Sequence, residues 1–162
     1  MSSVRNALWI LSLGFWVGAS AYFTFFATSG IFAALGFDRG GAVLAVLFPR
    51  YYLAGTIALG IALLMLLWRL IDVGRPTRAL WVVLVLIGLS WVFNLVGEFY
   101  LLPQTDTALH EMQAGTAAAS SRFATYHGIS LGMNVVELFM SAIALIVIGA
   151  RPQLLHPRLS RW

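Results

Sequence analysis

Residues 122–150 decide the fold of this chain, and they read RFATYHGISLGMNVVELFMSAIALIVIGA. This stretch is longer than the roughly 20 apolar residues that a helix needs to cross the hydrocarbon core of a bilayer. Its first half nevertheless carries ionisable and amide side chains, which are costly in lipid unless they have partners or a function. The stretch therefore predicts a transmembrane helix with one polar face that is turned toward other helices.

The composition of the whole chain is that of an integral membrane protein. Of its 162 residues, 60% are hydrophobic and 10% are charged, and the mean hydropathy is +0.89. A soluble domain of this length could not bury so much apolar surface. The net charge of +4 comes with thinly spread arginines, so nucleic acid is not an expected partner and the lipid bilayer is. The absence of cysteine excludes disulfides and thiolate metal sites.

Four apolar segments predict four transmembrane helices, at about residues 6–28, 43–68, 78–102 and 123–150. They are too long, and alternate too little, to be strands of a barrel. The predicted fold is therefore all-α, a polytopic membrane protein with a single domain over residues 1–162, built as a four-transmembrane-helix bundle. Pro103 is expected to end the third helix. The following TDTALHEM (residues 105–112) has helix-start residues and predicts a short interfacial helix between helices 3 and 4.

The arginines predict the orientation of the bundle. Seven of the ten lie on the side that holds both termini and the second connection: Arg5, Arg69, Arg75, Arg78, Arg151, Arg158 and Arg161. Positive residues favour the cytoplasmic side, so both termini are expected in the cytoplasm. The Arg-rich composition favours a bacterial inner membrane.

Polar residues recur at helical spacing and predict a polar cavity at the outward end. Steps of three and four place polar side chains of the fourth segment on one face, and the third segment repeats polar residues every four positions. We expect eight residues to contact a ligand: Arg50, Tyr52, Asn94, Glu98, His127, Ser130, Asn134 and Glu137.

Several of these residues have two interpretations. Arg50 and Glu98 form either a structural ion pair or a charged wall of the cavity. His127 makes an interhelical hydrogen bond, or it joins His110 and Glu98 as a metal ligand. Glu137 is a candidate for proton relay or cation binding near the membrane midplane. The sequence leaves the cofactor unknown, and a metal ion and haem are the two candidates that these residues offer.

Several stretches also carry a family resemblance. In order they are GFWVGASAYFTFFATSGIF (14–32), VLFPRYY (46–52), NLVGEFYLLPQTDTALHEM (94–112) and FATYHGISLGMNVVEL (123–138). The chain resembles the four-helix membrane family of unknown function, DUF4149-type, that includes the animal transmembrane protein two hundred and five. The resemblance implies the four-helix topology and singles out Asn94, Pro103, His127, Ser130 and Asn134. It implies no settled activity, and an association of some members with tolerance to metal-containing drugs leans toward transport or metal handling.

Three functions remain open from the sequence. The first is a small protein that binds or transports a solute or metal ion in an outward-facing cavity. The second is an accessory subunit of a larger membrane complex, with a membrane-protein partner or a second copy of the chain on the GxxxG face of the first helix. The third is a redox protein that binds haem or quinone. Nucleotide-binding and hydrolase motifs are absent from the sequence, so an enzyme is not indicated.

Overall fold

The computed structural model describes residues 2–73 and 75–155, without the side chains at positions 2, 3, 37, 38 and 152. Two of the arginines that carry the charge asymmetry, Arg158 and Arg161, lie outside these residues. Within the described part of the chain the regular structure is helical and no strand occurs. This confirms the all-α prediction.

Four helices are long and apolar enough to cross a membrane. They are α1 (Val4–Gly36), α2 (Arg39–Val73), α3 (Arg78–Gln113) and α4 (Ala119–Ala150). Each packs against its sequence neighbour, and α4 also packs against α1, so the helices follow one another around an up-and-down bundle. We call the end that holds Arg5, Val73 and Ala150 the proximal end, and the opposite end the distal end.

The helices are longer than a bilayer is thick. With 32 to 36 residues each and a rise of 1.5 Å per residue, they extend for about 50 Å. The hydrocarbon core is about 30 Å thick. Several turns of helix therefore reach beyond the apolar region of the membrane.

Two glycines with positive φ make the distal connections. Gly36, with φ of 74°, separates α1 from α2, and Gly115, with φ of 85°, lies between α3 and α4. Residues with a Cβ rarely adopt this backbone conformation, whereas glycine does so readily. The chain can therefore reverse its direction in very short connections.

The prediction that Pro103 ends the third helix is wrong. A π-helical turn at Gly97–Leu101 leads directly into a further helical stretch, Leu102–Gln113. A proline ring clashes with the carbonyl one turn back and lacks an N–H donor. The wider π turn just before Pro103 changes the hydrogen-bond register there, so the helix continues. The predicted short helix is present, and it follows the third segment without a break.

The proximal half of the bundle has an apolar core. Its fully buried members come from all four helices: Leu13, Leu59, Ala62, Leu66, Leu80, Val83, Ile87, Ala144 and Ile148. At the proximal end, buried Arg69 donates from Nε to the Leu154 carbonyl at 2.9 Å, and Asn6 donates to the Leu155 carbonyl. The segment after α4 is thereby held against α1 and α2. Further polar side chains of the interior lie nearer the distal end, around Tyr51 and Asn134.

Candidate functional site

A cavity of about 300 Å³ lies between the helices in the distal half of the bundle. All four helices contribute to its walls: Phe23, Thr24, Thr28 and Ser29 from α1; Phe48, Tyr51 and Tyr52 from α2; Leu102 and Thr105 from α3; and His127, Ser130, Leu131 and Asn134 from α4. The volume lies at the lower end of the range for sites that bind small molecules. Aromatic rings and hydroxyl groups dominate the lining.

Hydrogen bonds join three helices at the inner wall of this cavity. The Tyr51 hydroxyl contacts Asn134 Oδ1 at 2.5 Å and Ser20 Oγ at 3.0 Å. Asn134 donates from Nδ2 to Thr24 Oγ1 at 2.7 Å. Because an amide oxygen only accepts, Tyr51 donates to Asn134 Oδ1, and Ser20 Oγ lies at the longer distance from the same hydroxyl. These contacts fix α1, α2 and α4 relative to one another.

A second contact of this kind lies on the same wall. Tyr52 and Ser130 join their hydroxyl oxygens at 2.8 Å, across α2 and α4. The Tyr52 ring packs directly on Gly97, where even a methyl group would overlap with it. Gly97 therefore lets α2 and α3 approach closely enough to orient the tyrosine toward Ser130.

Asn94 anchors α3 to α2 beside the cavity. Its Nδ2 donates to the Tyr52 carbonyl at 2.9 Å and to Thr56 Oγ1 at 3.1 Å. Thr56 in turn donates to Glu98 Oε2 at 2.6 Å. The Asn94 side-chain oxygen is buried without a partner among the described residues. This side chain therefore acts mainly as a donor that holds the backbone beneath Tyr52.

Glu137 and Trp16 lie below the cavity. The indole Nε1 of Trp16 donates to Glu137 Oε1 at 2.8 Å, and both residues are buried. Nearby, Ser141 donates to Ser90 Oγ at 3.1 Å. This buried polar layer separates the cavity from the apolar core of the proximal half.

The sequence is similar to known proteins over most of its length. Residues 11–114 match the sequence profile of a family described as Domain of unknown function (DUF4149). The chain belongs to the DUF4149 family. An "Uncharacterized protein" of Aquifex aeolicus (strain VF5) is 28% identical over 138 residues, which cover 85% of this chain and 92% of that protein. No solved structure matches the chain.

Four of the predicted ligand contacts line the cavity of this DUF4149 protein: Tyr52, His127, Ser130 and Asn134. Asn94 and Glu137 also face the interior and are buried, but neither is among the lining residues. The predicted stripe on α4 therefore points inward. The family match covers α1 to α3 and ends before α4, so three helices of the cavity wall lie largely within the matched region.

The predicted ion pair between Arg50 and Glu98 is absent. Arg50 is exposed and donates to the Val46 carbonyl of its own helix at 2.5 Å, while Glu98 accepts from Thr56. The physical reason is the 100° turn per residue of an α-helix. Tyr51 and Tyr52 occupy the inward positions, so the preceding Arg50 points outward. Neither charged residue lines the cavity.

The predicted metal ligands are not brought together. Exposed His110 lies 3.7 Å from Asp106, which is one turn earlier in the same helix. His127 stacks on Phe123 with a centroid distance of 5.5 Å. Within residues 2–73 and 75–155, no group of three His, Asp or Glu side chains is placed to hold a metal ion.

The contribution of α1 was not apparent from the predicted set. Trp16, Ser20, Thr24 and Thr28 recur at intervals of four residues and all face the interior or the cavity. An interval of four is the signal of one helix face. The residues between them are almost all apolar and aromatic, so composition alone hides this face.

Proposed function

We propose that this protein binds a small, uncharged molecule in the distal cavity. The observation that carries the proposal is the lining, which combines hydroxyl, amide, imidazole and aromatic groups from all four helices around about 300 Å³. Among the described residues, no Arg, Asp or Glu lines the cavity. A charged ligand would lose its hydration without gaining a counter-charge, which is costly in a membrane.

Binding accounts for this geometry better than passage through the bundle. Below the cavity lies the buried layer of Trp16 and Glu137, followed by the closely packed apolar core of the proximal half. An apolar core of this kind leaves a small polar molecule without hydrogen-bond partners. The cavity therefore serves as a pocket that is closed toward the proximal end.

Cysteine accessibility tests this proposal, because the chain has no cysteine of its own. Ser130→Cys places a thiol in the cavity, and Ser141→Cys places one in the buried layer below it. In protein that has been purified in detergent and stripped of bound small molecules, a small uncharged maleimide should modify the first variant and leave the second unmodified. Equal protection of both thiols would contradict the proposal, since the polar groups would then form only a closed contact between helices.

A second candidate function is that of a subunit in a membrane complex. Gly14 and Gly18 have open space where a Cβ would be, so the GxxxG face of α1 is not filled by another helix in the described part of the chain. Such faces allow close helix contacts. Purification in mild detergent should then recover a stoichiometric protein partner or a second copy, and Gly14→Leu should release it. A protein that remains alone and monodisperse would exclude this role.

The orientation and the wider relationship are also proposals. The arginine asymmetry supports cytoplasmic termini in a bacterial inner membrane, which would turn the distal cavity away from the cytoplasm. The resemblance in α1 and α4 supports a distant relationship to the animal transmembrane protein two hundred and five.

A further inference from the structure

The depth of the cavity can be read from the aromatic residues on the outer surface of the bundle. On α3, exposed Trp81 and exposed Tyr100 are separated by about 28 Å of helix at 1.5 Å per residue. This equals the thickness of a hydrocarbon core, at whose boundaries Trp and Tyr concentrate. On α2, Phe48 lies about 30 Å from exposed Trp68. Because Phe48 lines the cavity, the cavity lies at the distal boundary between hydrocarbon and headgroups.

The mouth of the cavity opens on the side of the bundle. The exposed residues of the lining are Ser29 on α1 and His127 and Leu131 on α4. These two helices are neighbours in the bundle. A molecule that is dissolved in the distal leaflet therefore meets the mouth at the depth where its own polar head would lie.

The hydroxyl groups near the mouth have already used their hydrogens. Thr28 donates to the Phe23 carbonyl at 2.9 Å, and Thr105 donates to the Leu101 carbonyl at 2.7 Å. Ser29 likewise donates to carbonyls of the preceding turn. A hydroxyl has one hydrogen, so these three groups offer only lone pairs to a ligand.

Donors remain on the α4 side of the cavity. His127 has no hydrogen-bond partner among the described residues, and its ring nitrogens include at least one N–H. The Tyr52–Ser130 contact uses one of two hydroxyl hydrogens, and the other remains for a ligand. This wall therefore favours a molecule that carries hydrogen-bond acceptors.

Aromatic rings from α1 and α2 form another part of the lining. Phe23 stacks on Tyr51 with a centroid distance of 4.6 Å and an angle of 17°. Phe48 meets the edge of Phe23 at 5.5 Å. Such surfaces favour a flat ring, which can stack or pack edge-on against them.

These observations define a ligand class, and the inference rests on the proposed binding function. We infer that the cavity takes the head of a neutral, membrane-dissolved amphiphile, a flat ring with carbonyl acceptors as in the quinones, which enters between α1 and α4. The carbonyl oxygens accept from His127 and from the Tyr52–Ser130 pair, and the tail remains in the leaflet. A phospholipid phosphate does not fit, since no arginine of the described residues lines the cavity.

The test measures equilibrium binding to the protein in lipid nanodiscs, with empty nanodiscs correcting for partition. The probe is a 1,4-benzoquinone with a ten-carbon tail, and decylbenzene and decyl phosphate are the comparison compounds. We expect saturable binding of the quinone alone. We also expect at least tenfold weaker binding to His127→Phe, which keeps a ring but removes the N–H, and unchanged binding to Phe15→Leu on the lipid-facing surface.

The outcomes separate this inference from the proposed function. No saturable quinone binding, equal binding to His127→Phe, or equal binding of either comparison compound overturns the inference. If the Ser130→Cys thiol is still modified in that case, the cavity remains a binding site and only the ligand class is wrong. If that thiol is also protected, the proposed function fails as well.

Discussion

Trp16 and Glu137 form a hydrogen bond at 2.8 Å between side chains that lie 121 residues apart in the chain. The bond joins α1 to α4 in the interior of the bundle, where both residues are almost completely buried. A buried indole N–H needs a hydrogen-bond acceptor. Inside a bilayer, no water is available to take the place of an acceptor that is removed. This contact is therefore expected to determine how closely the first and last helices pack.

Substitutions of Glu137 test that expectation. Glu137→Leu leaves the indole N–H unpaired and should lower the free energy of unfolding by roughly 1–3 kcal/mol. Glu137→Gln keeps an oxygen acceptor at the same distance and should cost clearly less. Thermal unfolding in detergent micelles compares the two variants. Equal losses of stability in the two variants would show that the Trp16 N–H does not require an acceptor at position 137.

The close approach of α2 and α3 depends on Gly97. Gly97→Ala places a methyl group within the Tyr52 ring, and we expect a loss of roughly 1–3 kcal/mol because a packed core tolerates added volume poorly. Gly88→Ala on the same helix is the matched control, since nothing lies within 4 Å of its added Cβ. In thermal unfolding the control should equal or slightly exceed the wild type. Similar behaviour of both variants would argue against a close contact at Gly97.

Substitution of Arg50 should leave the stability of the protein nearly unchanged, whereas substitution of Thr56 should lower it. Arg50→Ala removes an exposed side chain that, among the described residues, bonds to its own helix, and should change stability by no more than about 0.5 kcal/mol. Thr56→Val removes the hydroxyl that serves both Asn94 and Glu98, and should cost roughly 1–3 kcal/mol. Denaturation curves of both variants decide this. A large loss of stability in Arg50→Ala would show that Arg50 takes part in an ion pair after all.

Orientation can be measured with single cysteines on the two sides of the membrane. Thr116→Cys lies in the distal connection and Arg75→Cys in the proximal one, and both positions are exposed. With cytoplasmic termini, a membrane-impermeant maleimide should label Thr116→Cys in intact spheroplasts and Arg75→Cys only after permeabilisation. The reverse pattern would turn the cavity toward the cytoplasm.

The sequence predicted the helices and the inward face of α4, because apolar length and a three-and-four spacing are local properties. It did not predict the direction in which Arg50 points, because spacing gives depth along a helix but not the rotation of one helix against another. The prediction that Pro103 ends the third helix was wrong because no residue type in the sequence marks the π turn that precedes it. The cavity lining on α1 could have been found from the four-residue interval of Trp16, Ser20, Thr24 and Thr28.

The most direct measurement of whether the distal cavity is a binding site is native mass spectrometry of the protein, released gently from its own membrane. The wild type should carry a bound small molecule of defined mass. Ser130→Leu, which fills the cavity, should lack it, and Gly132→Leu on the exposed side of α4 should retain it. A folded wild type without bound mass, or a mass that is unchanged in Ser130→Leu, would contradict a binding role. The polar groups would then serve only to hold the four helices together.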